Sequence, residues 1–285
     1  MNSGTCTLWT PGGQKLKTFT WNAQSPRLVA NMVKRLKTVL FGTVGDMRCV
    51  FKLSTQEEVS KLRVMNAAIP SNCARVYAAI NVNEALLLVL ERKKGVLLHN
   101  TMVSNVSELL QVEYTMADVT NVLYQCALIL KDLHAKIKGF SHNDLKSDNI
   151  LLTPGEVSFA VVFIDAETVR GEGLPVQFLE NVDESVLSMF ALDGAYCEWL
   201  DFHLILLEIC FAVRKSRPPW RDAFFAMVYS FCPHDLLLTY KEGGRYVTTF
   251  NRLTAEGRSK TCEECKSLDE TMRILQISLP QSAHV

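Results

Sequence analysis

The first half of the chain alternates between short apolar runs rich in β-branched residues and brief polar interruptions. Four runs have strand composition: "KTVLFGTV" (37–44), "MRCVFKL" (47–53), "ARVYAAINV" (74–82) and "ALLLVLE" (85–91). Gly45-Asp46 suits a tight hairpin turn between the first two, and Asn83-Glu84 a turn between the last two. Between these pairs, "STQEEVSKLRVMNAA" (54–68) offers Ser54 or Thr55 as a helix cap, with Glu57 and Glu58 in the first turn. Val59, Leu62 and Met65 or Asn66 follow at helical spacing. The first ninety or so residues therefore predict an antiparallel sheet with one helix.

The polar-basic stretch "ERKKG" (91–95) ends that pattern. Beyond it, Val119, Val122, Leu123, Cys126, Leu130 and Leu133 mark one face of a long helix over 116–136. "NILL", a turn at "TPGE" and "FAVVFID", ending in Asp165, predict two short strands joined by a turn. "LDFHLILLEICFAV" (200–213) is too short to span a bilayer and carries an Asp and a His near its start, so it predicts a buried core helix. "SRPPW" ends that helix, and the rest of the chain reads as mostly helical, without internal repeats.

Composition changes this picture little. With 285 residues the chain can form one large domain or two small lobes, and 48% hydrophobic with 21% charged residues is ordinary for a globular protein. Lys+Arg and Asp+Glu both number 30, so no broad field draws nucleic acid or anionic lipid. The start, "MNSGTCTLWTPGG", lacks a basic region followed by a long apolar one, so no signal peptide is expected. The nine cysteines are odd in number and show no framework spacing, which predicts reduced thiols in an intracellular protein of cytoplasm or nucleus. One pair stands out, Cys262 and Cys265 in "TCEECKS". No second pair completes a zinc site, and His234 or His284 could join only through the fold; the plain reading is an exposed helical start with two free thiols.

The chemistry concentrates in "SHNDLKSDNILL" (141–152) and the strand after it. If the two strands pair through the 153–156 turn, Asn149 at the start of one lies near Asp165 at the end of the other. An amide and a carboxylate oxygen, with waters and phosphate oxygens, can hold Mg²⁺. Asp144 is then free to accept a proton from an attacking hydroxyl, and Lys146 can neutralise a phosphoryl group in transfer.

"HNDLKSDNILL" resembles the catalytic loop of eukaryotic protein kinases, His-Arg-Asp-Leu-x-x-x-x-Asn, matching at His142, Asp144, Leu145 and Asn149; Lys146 resembles the serine/threonine branch. Further landmarks follow the kinase order. "CVFKL" resembles the strand with the phosphate-binding lysine, here Lys52, and "EEVSKLRVM" the C-helix, making Glu58 its ion-pair partner with Glu57 as the alternate. "LLLVLERKK" resembles the strand entering the hinge, with Leu90 as gatekeeper and the backbone of Glu91–Lys93 facing adenine. "FIDAET" stands where Asp-Phe-Gly is expected, making Asp165 a metal ligand, and "DFHLILLEI" resembles the central helix whose Asp201 braces the catalytic loop. The likeness covers about residues 37–215.

The resemblance also has gaps. Only Gly42 and Gly45 echo a glycine-rich loop, with Phe41-Gly42-x-Val44 matching its end, so Gly42 and Val44 are the expected phosphate-side contacts. Asn143 replaces the loop arginine that commonly pairs with an activation-loop phosphate, and Ala166-Glu167 replaces Phe-Gly, which implies a fixed site. No Ala-Pro-Glu motif stands between 165 and 201. Trimmed kinases of this kind occur among large DNA viruses.

The resemblance implies an α+β, bilobal protein-kinase-like fold. A small antiparallel β-lobe with one helix would occupy 1–92, including any N-terminal extension, and a larger, mainly helical lobe 93–285. The implied activity is ATP-dependent serine/threonine phosphorylation of a protein substrate with Mg²⁺ or Mn²⁺, without nucleic acid or membrane partners. A pseudokinase that binds nucleotide or partners is the first alternative, supported by the weak glycine loop. A small-molecule or lipid phosphotransferase is the second, although such relatives usually lack a lysine at the position of Lys146.

Overall fold

The computed structural model describes residues 4–83, 85–100, 114–154, 159–175, 198–237, 239–242, 245–248 and 263–279. Among these described residues the protein is mixed α+β, with a six-stranded antiparallel sheet and six α-helices, and it divides into two compact units. The first unit is Met1–Lys94 together with Asp165–Glu167; the second is Gly95–Ile164 with Thr168–Val285. Among the described residues no helix is long and apolar enough to cross a membrane.

The first unit is built on β1 (Thr5–Trp9), β2 (Lys15–Thr20), β3 (Leu40–Val44), β4 (Met47–Ser54), β5 (Val76–Val82) and β6 (Ala85–Glu91). Their order across the sheet is β2-β1-β3-β4-β6-β5. Val44 pairs with Met47, so a two-residue turn at Gly45-Asp46 closes the first hairpin, and Val82 pairs with Ala85 in the second. Gly45 has φ +58° and Asn83 φ +56°, the left-handed conformation such turns need.

Two helices accompany this sheet, one more than the pattern predicts. Helix α2 (Gln56–Ala68) is the expected one, with Thr55 accepting from the Glu58 N–H as its cap. The unexpected helix α1 (Ser25–Leu36) buries Val29, Ala30 and Val33 in the core under β4, beside Leu8, Trp21, Leu40, Phe51, Leu87 and Val89. Residues 4–36 thus do not form a separate arm: β1, β2 and α1 complete the sheet and its core. Trp21 stacks on Phe51 at 5.9 Å, and burying a ring such as Phe51 contributes about 2–3 kcal/mol.

Gly42 sits mid-strand in β3, where a Cβ would come within 2.6 Å of Phe51 Cε2, 2.9 Å of the Thr7 carbonyl oxygen and 3.0 Å of Leu8 Cδ2. The carbonyl belongs to the neighbouring strand and cannot swing aside. Gly42→Ala is therefore expected to lose about 1–3 kcal/mol of stability, read as a lowered Tm. An unchanged Tm would mean that β3 relaxes around a methyl group.

The second unit is organised by α3 (Met116–Lys136), whose start is fixed by a reciprocal Thr115–Asp118 capping box. Its apolar face, with Val119, Val122, Leu123, Cys126, Leu130 and Leu133 buried, packs on α4 (Glu198–Ser216) and α6 (Leu268–Ile277). Helix α4 buries nearly every side chain from Trp199 to Val213 and ends ahead of the two prolines, as expected; α5 (Arg221–Tyr229) follows. A three-stranded sheet orders β7 (Val96–Leu97), β8 (Ile150–Pro154) and β9 (Phe159–Phe163), and β10 (Thr239–Glu242) pairs with β11 (Arg245–Thr248) as an exception to the mostly helical remainder. Burial pushes the Cys6, Cys73 and Cys210 thiols up to about 12, so these cysteines act as small apolar side chains.

Candidate active-site residues

In the first unit, the strand–helix pair β4–α2 carries a half-buried cation between two carboxylates. Lys52 Nζ lies 2.7 Å from Glu58 Oε1 and 3.2 Å from Asp165 Oδ1, although Lys52 and Asp165 are 113 residues apart in the chain. Thr55 capping puts Glu58 in the first turn of α2, where the helix dipole favours a carboxylate, and Ser54 Oγ donates to its second oxygen at 2.7 Å. Glu58, not Glu57, is the partner of Lys52.

Burial raises the Glu58 pKa above the ordinary carboxylate range, against the opposing pull of Lys52 and the Ser54 hydroxyl. For Lys52, burial acts to lower the ammonium pKa, but Asp165 and Glu58 outweigh it and hold the value above normal. The cation is therefore locked on. Asp165 itself has φ +72°, and its Oδ1 also accepts from the N–H groups of Ala166 at 2.9 Å and Glu167 at 3.3 Å. Ala166 is fully buried, which shows how a small residue is accommodated here.

Sequence reading missed Lys61, one turn after Glu58 on α2. It is only 2% exposed, and its Nζ reaches the Glu167 carbonyl at 2.6 Å. The signal was its i+3 position after Glu58, which puts both polar side chains on one helical face.

In the second unit the loop 141–149 is held from three sides. Asp201, 1% exposed at the start of α4, accepts from the His142 N–H at 2.6 Å and the Asn143 N–H at 2.9 Å, the bracing expected of it. Glu208, two turns further along α4, accepts from the Ser147 N–H at 2.6 Å; its i+7 spacing from Asp201 was the unused sequence signal. Asn143 takes φ +63°, accepts from Ser141 Oγ at 2.7 Å and donates to the Thr168 carbonyl at 3.0 Å. The asparagine thus builds this turn with its own amide, which tolerates the left-handed conformation better than most residues.

Within the loop, Lys146 Nζ reaches both Asp144 oxygens, at 3.0 and 2.8 Å. Asn149 Nδ2 donates to the Asp144 carbonyl at 2.7 Å and to its Oδ2 at 3.0 Å, which leaves the amide oxygen as the group that can face a cation. Ile150 pairs with Phe163, and the Ile164 N–H donates to the Asn149 carbonyl at 2.9 Å, so the strand pairing runs as the sequence predicts and Asp165 follows it directly in the chain. Asp144, Lys146 and Asn149 form one cluster.

The remaining predicted contacts are spread along the first sheet. Gly42 and Val44 are buried in β3, committed to packing, and Leu90 is half-buried in β6 opposite Val50 and Val76. Glu91 and Lys93 pair with each other at 3.2 Å, while the Glu91 and Arg92 N–H groups donate to the carbonyls of Arg75 and Arg48. No protein-family model matches the chain, and no curated protein matches it in sequence.

Proposed function

We propose that the chain is a two-lobed, protein-kinase-like phosphotransferase that moves the γ-phosphoryl group of ATP to a serine or threonine hydroxyl of a protein. The observation that carries this reading is the Lys52–Glu58–Asp165 set, with contacts of 2.7 and 3.2 Å between residues the resemblance singled out from distant parts of the chain. An ammonium kept charged by two carboxylates is suited to hold the α- and β-phosphates. Asp165 and the Asn149 amide oxygen are hard donors of the type Mg²⁺ prefers, so the residues present fit that ion. Bound Mg²⁺ would neutralise charge on the phosphoryl oxygens.

Asp144 orients and deprotonates the acceptor hydroxyl. Its pair with Lys146 is partly exposed, at 23% and 45%, so the contact is weak enough for Lys146 to exchange the carboxylate for the γ-phosphoryl oxygens. Glu91–Lys93 supply the adenine-facing backbone. Positioning and charge neutralisation supply most of the catalysis in this chemistry.

The test is transfer from γ-labelled ATP with Mg²⁺ to the protein itself and to generic acceptor proteins, beside Asp144→Ala and Lys52→Met. Label on Ser or Thr that falls at least about a hundredfold in each variant is expected. A second reading, nucleotide or partner binding without turnover, is favoured by one feature: Gly42 is packed against Phe51 and the β3–β4 turn is only two residues long. ATP binding with no transfer from wild type would select it.

A further inference from the structure

Three donors that the reading above does not use come together in the second unit. One ring nitrogen of His203 on α4, Sγ of Cys232 just after α5 and Sγ of Cys265 just before α6 lie within 4.8 Å of one another, and all three side chains are buried. Cys265 is thus not the exposed thiol that its sequence context implies. His234, the histidine nearest Cys232 in sequence, is exposed and turned to the Tyr229 ring; Cys262 and His284 lie outside the described residues.

The sulfur–sulfur distance defines what this cluster suits. The sulfurs are 3.6 Å apart, far beyond the roughly 2.05 Å of a disulfide. Two thiolates at about 2.3 Å from a tetrahedral zinc ion would be about 3.8 Å apart, close to the separation present. His203 is 1% exposed, and its Nδ1 has no hydrogen-bond partner. An orphaned buried nitrogen loses about 1–3 kcal/mol of stability, and a metal ion facing it would remove that loss.

The backbone already holds the ligand-bearing segments together. The Lys266 N–H donates to the Phe231 carbonyl at 3.0 Å, and the Lys266 carbonyl accepts from the Trp199 indole N–H. Lys266, next to Cys265, is thereby tied both to Phe231, next to Cys232, and to Trp199, one turn before His203 on α4.

We propose that His203, Cys232 and Cys265 bind a structural zinc ion that fastens the entry of α6 to α4. Two soft thiolates and an imidazole select zinc over magnesium or calcium, and binding releases the two thiol protons. The remaining tetrahedral position takes a further donor. This site is independent of the phosphotransferase reading.

The experiment measures zinc in the full chain, purified under reducing conditions, by atomic emission, followed by cobalt(II) exchange. About one zinc per chain is expected, with cobalt giving the visible bands of a tetrahedral ion and a near-ultraviolet sulfur-to-cobalt band. His203→Ala, Cys232→Ser and Cys265→Ser should each lower the zinc content at least about tenfold, while Cys210→Ser, a buried cysteine on the same helix as His203, retains it. Because a variant could fail to fold, the cobalt spectrum of wild type decides. A folded, reduced wild type without stoichiometric zinc or a tetrahedral cobalt spectrum would overturn the proposal. So would a Cys232–Cys265 disulfide found by mass spectrometry, or zinc retained in all three ligand variants.

Discussion

Asp201→Ala is expected to lower stability by about 3–5 kcal/mol, among the largest single-residue losses in the second unit. The carboxylate is 1% exposed and accepts the N–H groups of both His142 and Asn143. Each hydrogen bond to a charged acceptor contributes about 1.5–3 kcal/mol, and its removal leaves a buried donor without water or partner. Asparagine does not repair the site, since one of its two positions is an amide that presents hydrogens to an N–H. Urea unfolding followed by a second-unit probe should show a lowered midpoint for both substitutions. Hydrogen exchange at the His142 and Asn143 amides should accelerate as well. Unchanged midpoints with both amides still protected would mean that other contacts hold this turn. If the phosphotransferase reading is correct, transfer falls too, because Asp144 stands one residue beyond the released backbone.

The second large effect is dependent on pH. Lys52→Met removes the cation beside Glu58, whose side chain is 3% exposed, and leaves a carboxyl that must be buried either protonated or unpaired. Burial already raises the Glu58 pKa, and without Lys52 nothing of comparable strength opposes it. Below the ordinary carboxylate range, folded and unfolded chains both keep the proton, and the variant should track wild type. As pH rises, the unfolded chain releases the proton first, so stability drains away until the pH passes the folded value. The loss at neutral pH should reach about 3 kcal/mol, the low end for a broken buried pair because Lys52 is 25% exposed. Lys52→Met/Glu58→Gln should recover most of it while keeping an acceptor for Ser54. Denaturation midpoints at several pH values measure this, and a deficit that stays constant from acid to neutral would refute the account.

Much of the architecture was legible because its signals are local. The helix over 116–136 shows a helical period of apolar residues, and the β3–β4 hairpin shows two strands around Gly45-Asp46. The first thirty-six residues were harder. Strand β2 lies at the sheet edge with little of it buried, so "KLKTFT" has no sustained alternation. Helix α1 lacks a side-chain cap, although Pro26 near its start and Lys34 and Arg35 in its last turn were usable marks. Asp144, Asn149 and Asp165 were legible from the expected pairing of two short strands with polar ends, whereas Lys52 and Glu58 could be named only by likeness to a family pattern, since no period or composition distinguishes them. Lys61 and Glu208 were missed because their partners are backbone groups remote in sequence. The His203–Cys232–Cys265 cluster has no spacing motif at all; three separate segments create it.

The placement of Asp165–Glu167 in the first unit bears on how the chain is made. The polypeptide leaves that unit at Lys94 and returns to it only about seventy residues later. At about 5–20 residues per second of synthesis, the amino-terminal unit must wait on the order of ten seconds for its last three residues. During that interval Lys52 faces Glu58 alone, and Lys61 lacks the Glu167 carbonyl that receives it in the finished protein. A ribosome-bound chain halted before residue 165 should thus carry an immature first unit, open to proteases, that matures only when the later stretch has emerged.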